Sequence, residues 1–186
     1  GAYAIDANFY FGEMYYAKKN WNKALAGYEP VAEKAPNNFA EKAVLQSARI
    51  YFFELKNYAR AETYFVQLKD ITGNQEYKLE AMRGLLRSQY QQQKWTEGVN
   101  NAKELINEKG SSSDDKALAN MSIAKSYQVN GQYDLAIANF KSVVSINKAA
   151  LAAEARYEIA NSWFKVNKLT DAEKSAFEVI NKSGSY

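Results

Sequence analysis

Two Ser-x2-Lys spacings, Ser122 to Lys125 and Ser162 to Lys165, place a lysine where it could take the proton of a serine nucleophile. Neither is joined by the Ser-Asp-Asn and Lys-Thr-Gly segments that complete such a site, and both read as chance matches. Asp114 and Asp115 follow three serines as the first turn of a helix and bring too few oxygens for a hard cation. Asn120-Met121-Ser122 and Asn181-Lys182-Ser183 fit the glycosylation pattern, but the first falls on a packed helix face where a glycan has no room. The chain has no cysteine and no histidine, which excludes a thiol nucleophile, a disulfide, a Ser-His-Asp triad and a Cys/His zinc centre. No catalytic residue, metal site or cofactor is implied. What remains is recognition chemistry: Arg83 and Arg87, one helical turn apart beside Tyr90, combine charge-assisted donors with an aromatic ring.

The 186 residues are 47% hydrophobic and 14% aromatic, a composition that supports a folded core. Twenty-four basic residues against 21 acidic ones leave +3, too balanced for the concentrated field that nucleic acid or anionic lipid selects. No apolar run reaches the roughly 18 residues of a membrane span. The first residues lack the pattern of a signal peptide and an initiator Met, so the chain is expected to be a mature or excised segment.

The elements that must position Arg83 and Arg87 are set by an internal repeat. Tyr15, Phe52, Gln89, Tyr127 and Trp163 recur at spacings of 37, 37, 38 and 36 residues, and nine residues after each stand Ala24, Ala61, Gly98, Ala136 and Ala172. Four further on come Tyr28, Phe65, Ala102, Phe140 and Ala176, and then Val31, Leu68, Leu105, Val143 and Val179. Upstream lie Phe11, Ala48, Leu85, Ile123 and Ile159, so each unit carries two amphipathic segments of helical period. The pattern predicts ten helices, near 3–18, 21–34, 38–55, 58–69, 75–92, 95–108, 114–129, 132–145, 149–166 and 169–181. The connectors hold Asn20, Asn57, Gly131 and Asn167 inside the hairpins, where a left-handed residue is expected, and Asn-, Gly- and Ser-rich turns between them, Asn147-Lys148 the last. Unit three, with Gln89, Gly98 and Ala102 in its columns, is expected to be the weakest. Pro30 is expected to kink the second helix.

The first unit has Phe11-Gly12-x2-Tyr15, Ala24-x3-Tyr28 and then Pro36, which resembles the tetratricopeptide (TPR) signature over nearly the whole chain, residues 3–182. The resemblance implies an all-α, right-handed superhelical solenoid of five helical hairpins, one array with repeats near 3–37, 38–73, 74–111, 112–147 and 148–182. The period exceeds the family's usual 34 and is similar to TPR variants of bacterial envelope proteins, such as outer-membrane assembly lipoproteins and Tol-Pal-associated cell-division coordinators. That similarity leans towards the periplasm or envelope, although the sequence itself leaves the compartment open.

In TPR proteins one face of each first helix lines a concave groove that holds an extended peptide or a helix of a partner protein. By that resemblance the groove here comprises Phe9, Tyr16, Ile50, Phe53, Arg83, Arg87, Tyr90, Met121, Lys125, Tyr157, Asn161 and Phe164, with Glu76 and Glu80 placed to neutralise the arginines along their own helix. Two or three anchors at about 2 kcal/mol each would sustain a micromolar complex. The Lys/Asn clamp with which some TPR domains hold a partner's C-terminal carboxylate is mostly lacking: Arg83 and Arg87 match its basic pair in the third repeat, but Phe9, Glu13 and Ile50 stand where it needs Lys and Asn. The function expected is a non-catalytic scaffold for a protein partner, without nucleic acid. The alternative is a structural segment or dimerisation module acting through the apolar flanks of its end hairpins.

Overall fold

The computed structural model describes residues 2–146 and 150–183, which form helices and turns without a strand. Two compact units divide between Gln92 and Gln93. The first contains α1 (Ala2–Ala17), α2 (Trp21–Glu33), α3 (Ala40–Arg49) with a π-helical extension (Ile50–Glu54), α4 (Tyr58–Ile71) and α5 (Gln75–Gln91). The second contains α6 (Trp95–Asn107), α7 (Ser113–Val129), α8 (Tyr133–Ile146), α9 (Ala150–Lys165) and α10 (Leu169–Ser183). Within each unit, helices adjacent in sequence pack as antiparallel neighbours, and the helices fall where the apolar periodicity places them. α2 continues through Pro30 to Glu33. The expected connector Asn147-Lys148 lies outside the described residues.

The hairpin turns share one backbone device. Lys19, Lys56, Gln93, Gly131 and Asn167 occupy the same position of their repeats, and all have positive φ, between 52° and 74°. The left-handed residue reverses the chain and lets the next amide close on a carbonyl five residues back: Asn20 N–H donates to Tyr15 O and Gln132 N–H to Tyr127 O, both at 2.9 Å. Gly131 and Asn167 suit that conformation, but lysine and glutamine fill it elsewhere, so position rather than residue type decides it. Asn20 and Asn57, expected at the left-handed position, instead cap the following helices by accepting from Lys23 N–H and Arg60 N–H. Asn74 caps α5 in the same way, and Ser112 forms a capping box with Asp115 at the start of α7.

The π-helical extension changes the register of α3. Leu55 N–H reaches Ile50 O, and the turn closes from Asn57 to Tyr51, six residues back instead of five. One residue is thereby absorbed, and Tyr51, not Phe52, becomes the structural counterpart of Tyr15. Every residue of α3 before the extension shifts by one place, which aligns Ala43 with Ala7, Ala81, Ala119 and Ala155 in a column of alanines. Except for Ala7, these alanines are fully buried.

Small residues let the helices of a hairpin approach. Ala24, Ala61 and Ala136 are fully buried, and the large column packs around them through Tyr28, Phe65 and Phe140. In the first hairpin the approach is closer still. A methyl group on Gly27 would lie 2.4 Å from Gly12 N and 2.6 Å from Asn8 O, and one on Gly12 would meet the Tyr28 ring at 2.7 Å. Gly84 of α5 seats the Phe65 ring, whose edge would be 2.3 Å from an added Cβ. Gln89, which replaces an aromatic residue in unit three, is buried with its amide donating to Glu62 at 3.1 Å. The fifth hairpin differs: Ala176 is exposed and Val179 only half-buried.

Polar residues tie successive hairpins of the first unit together. Glu29 of α2 accepts from Tyr51 Oη at 2.8 Å, Tyr64 Oη at 2.9 Å and Arg60 at 2.7 Å, while Tyr51 and Tyr64 stack with their planes 10° apart. Burial alone would raise the Glu29 pKa, but the hydrogen bonds from Tyr51, Arg60 and Tyr64 outweigh it and hold the carboxyl below its usual range.

Gly27→Ala should lower stability by about 1–3 kcal/mol, because the clash with backbone outweighs the better helix propensity of alanine. Urea unfolding followed by circular dichroism measures it, and an alanine variant as stable as the parent would show that α1 and α2 can move apart.

Candidate functional site

The first-helix residues expected to bind a partner fall into two sets, one in each unit. In the first unit, Phe53 at the end of the π-helical extension and Arg83 and Arg87 on α5 line a pocket of about 140 Å³. Its inner wall is Phe52, Phe65 and Gly84, and Glu80 lies at its edge. Helical spacing brings the two arginines to one face, and the close seat of Phe65 on Gly84 fixes α5 against α4 so that this face adjoins Phe53. Phe53 is 49% exposed, Arg87 is exposed and Arg83 half-buried.

Glu80 is held from an unforeseen direction. Arg49 grips it in a bidentate pair, Nε to Oε1 and NH2 to Oε2, both at 2.7 Å. With the register shift, Arg49 occupies the place in α3 that Glu13, Arg87 and Lys125 hold in their helices. Arg87 itself makes no hydrogen bond or ion pair among the described residues.

Several expected groove residues are not available to a partner. Ile50 is fully buried, because the π-helical extension rotates it by one residue into the core with Tyr28, Val31 and Ala43. Phe9 is 4% exposed, stacked on Phe39 at 4.4 Å with the Lys42 ammonium over its ring. Met121 is fully buried in α7. Tyr16 is half-buried against Trp21 and Tyr28, and Tyr90 is half-buried on α5.

In the second unit Lys125 binds Glu158 of α9 at 2.6 Å and Glu154 at 3.3 Å, so its charge joins α7 to α9. Gln128 donates to Glu158 at 2.8 Å and Asn161 to the same carboxylate at 3.3 Å. Burial would raise the Glu158 pKa, yet these donors, Lys125 foremost, bring it below the usual glutamate range. Tyr157 and Phe164 are 59% and 63% exposed and form, with Asn161, one wall of an apolar cleft of about 580 Å³. The other wall is α10, through Leu169, Ala172, Ala176 and Ile180.

The serines of the Ser-x2-Lys spacings are buried, and Ser122 Oγ donates to Leu118 O one turn back. Among the described residues no group of three or more Asp and Glu side chains converges as a metal site would require, and no helix is long and apolar enough to cross a membrane.

No family model and no curated protein matches the sequence. Solved structures do. A crystal structure of MamA superposes with a TM-score of 0.74 at 16% identity, over 99% of this chain and 94% of that one. MamA of Desulfovibrio magneticus RS-1 gives 0.73 at 12% identity, over 98% and 96%. TPR-like repeats of a Podosopora anserina putative kinesin light chain give 0.62 at 16%, over 97% and 95%. The chain has a tetratricopeptide-type fold. At these identities the likeness concerns the fold, and the TPR hairpins described above are its content.

Because Glu158 and Glu29 have lowered pKa values in the folded protein, their contribution to stability is complete above the unfolded glutamate value of about 4.3 and disappears as pH falls through the lower folded values. Glu158→Gln should therefore flatten the loss of stability below that pH while costing stability at neutral pH. Thermal melts of parent and variant from pH 3 to pH 7 read the difference, and parallel pH profiles would sink the assignment.

Proposed function

We propose that this TPR chain is a non-catalytic scaffold that holds a segment of a partner protein, with the pocket of Phe53, Arg83 and Arg87 as its principal anchor. The observation that carries the reading is an exposed guanidinium, Arg87, without an acceptor among the described residues, beside an exposed aromatic ring and a preformed recess. Such a pair suits an acidic side chain followed by an apolar one on a peptide or helix: the carboxylate meets the guanidinium and the apolar group covers Phe53. Rigid backing from Gly84 and Phe65 limits the ordering cost of binding. Tyr16 and Tyr90 are flanking contacts of the same first-helix face. The near-balanced charge supports a protein partner over nucleic acid.

A second reading is supported by the cleft of α9 and α10. Leu169 and Ile180 are, like Tyr157 and Phe164, more than half exposed, and a face of this kind favours association through the end hairpin, including self-association.

Affinity capture from an extract of the source organism compares the parent with the Arg83→Glu, Arg87→Glu double variant. A protein retained by the parent and lost, or weakened by about 100-fold, with the variant is the expected result, given two hot-spot charges reversed. Equal retention by both would overturn the anchor. Light scattering over a dilution series addresses the second reading: a concentration-dependent mass supports self-association through the cleft, and a monomer at every concentration removes it.

A further inference from the structure

The network that closes the first unit around Glu29 has a counterpart in the second that is built with the opposite polarity. Between α2, the end of α3 and α4, the Glu29 carboxylate receives Tyr51, Tyr64 and Arg60. At the same repeat positions between α8, α9 and α10 stand Lys141 for Glu29, Trp163 for Tyr51, Ser175 for Tyr64 and Asp171 for Arg60. Replacing a tyrosine by a serine removes a ring from the interface, and a pocket of about 250 Å³ opens there. Its inner wall is Ile159 and Val144 with the Trp163 indole.

Arg156 marks the site. Its position in the repeat is held by Asn8, Val44, Met82 and Asn120 in the first helices before it, none of them charged, and Val44 and Met82 are buried apolar side chains. Here the guanidinium Nε is shielded from solvent and has no hydrogen-bond partner. A buried donor without an acceptor is destabilising, and a ligand that supplies the acceptor relieves that cost. Lys141 of α8 and Lys174 of α10 join Arg156 in the pocket lining, together with Asp171 and Glu178 of α10. None of these five charged groups forms a hydrogen bond or ion pair among the described residues, although Lys141 lies over the Trp163 ring at 5.7 Å. Three cations against two carboxylates leave the pocket one positive charge in excess.

We infer that the pocket between α8, α9 and α10 is a binding site for a carboxylate, which takes from outside the place that the Glu29 carboxylate fills from within the first unit. Arg156 supplies the buried donor, Lys141 the second cation, and Ile159 with Trp163 accommodates a short apolar stem. The side chain of glutamate and a small free dicarboxylate share this chemistry. The site lies in a different unit from the Phe53 and Arg87 pocket and shares no residue with it, so each can fail alone.

The test follows the indole ¹H–¹⁵N resonance of Trp163, with Trp95 as the internal control, during titration with glutarate, with a blocked Gly-Glu-Gly peptide and with sodium chloride at matched ionic strength. The expected result is a saturable shift of Trp163 alone with at least one of the two carboxylates. Response to glutarate identifies a small-molecule site, and response to the peptide alone identifies a partner's side chain. Arg156→Leu places there an apolar side chain of the kind α3 and α5 bury at that position, and should weaken binding at least about tenfold, the loss of a charge-assisted pair. Ser175→Tyr refills the pocket as in the first unit and should do the same with the melting transition retained. No saturable shift, an equal shift with chloride, or unchanged binding in a folded variant of either kind would overturn the inference.

Discussion

How near the two helices of a hairpin can come governs the rest of the structure. At Gly12 and Gly27 the backbones of α1 and α2 meet with no room for a methyl group, and the buried alanines at 24, 61 and 136 do the same work less tightly further along. Close approach leaves little space beside the contact, and Tyr28, Phe65 and Phe140 fill it. Once a hairpin is fixed in this way, its outer flank has a definite shape, and the next first helix meets that flank with its own small residue, as Gly84 does with Phe65. The anchor pocket is a by-product of this arrangement, since the seat of α5 on α4 sets the distance between Arg87 and Phe53.

Most of this was legible because it is periodic. Apolar columns at fixed spacing gave the helices, and turn residues between them gave their ends. The errors arise where the backbone departs from the period that a sequence reading assumes. A regular α3 would place Ile50 on the binding face; the π-helical extension inserts a residue, turns Ile50 inward and brings Arg49 to the face instead. A signal existed, since shifting α3 by one residue makes Ala43 complete the alanine column. Phe9 and Met121 fail for another reason: nothing in their own helices shows that a neighbour covers them.

Charged residues were the least legible. Helical spacing suggested that Glu80 would answer Arg83 or Arg87 along α5, yet Arg49 reaches it from α3 with ideal bidentate geometry. Lys125 looked available and is bound by Glu158 and Glu154 across from α7 to α9. Pairing across hairpins depends on which columns face each other, and side-chain reach of several ångströms makes many partners admissible on sequence grounds alone. No motif marks the open pocket beside Arg156, because Ser175 leaves space only at a position that Tyr64 fills in the first unit.

The left-handed residues of the hairpin turns have a bearing on how much stability the array could gain. Lys19, Lys56 and Gln93 hold a conformation that costs an L-residue with a Cβ about 1 kcal/mol, and glycine almost nothing. All three are at exposed or half-exposed positions in turns rather than in packed columns. These turns are not at their energetic minimum, and the fold tolerates the strain because each hairpin's packing already determines where its chain must reverse. The same tolerance gives the repeat freedom to vary its turn sequence while leaving the geometry of its faces intact.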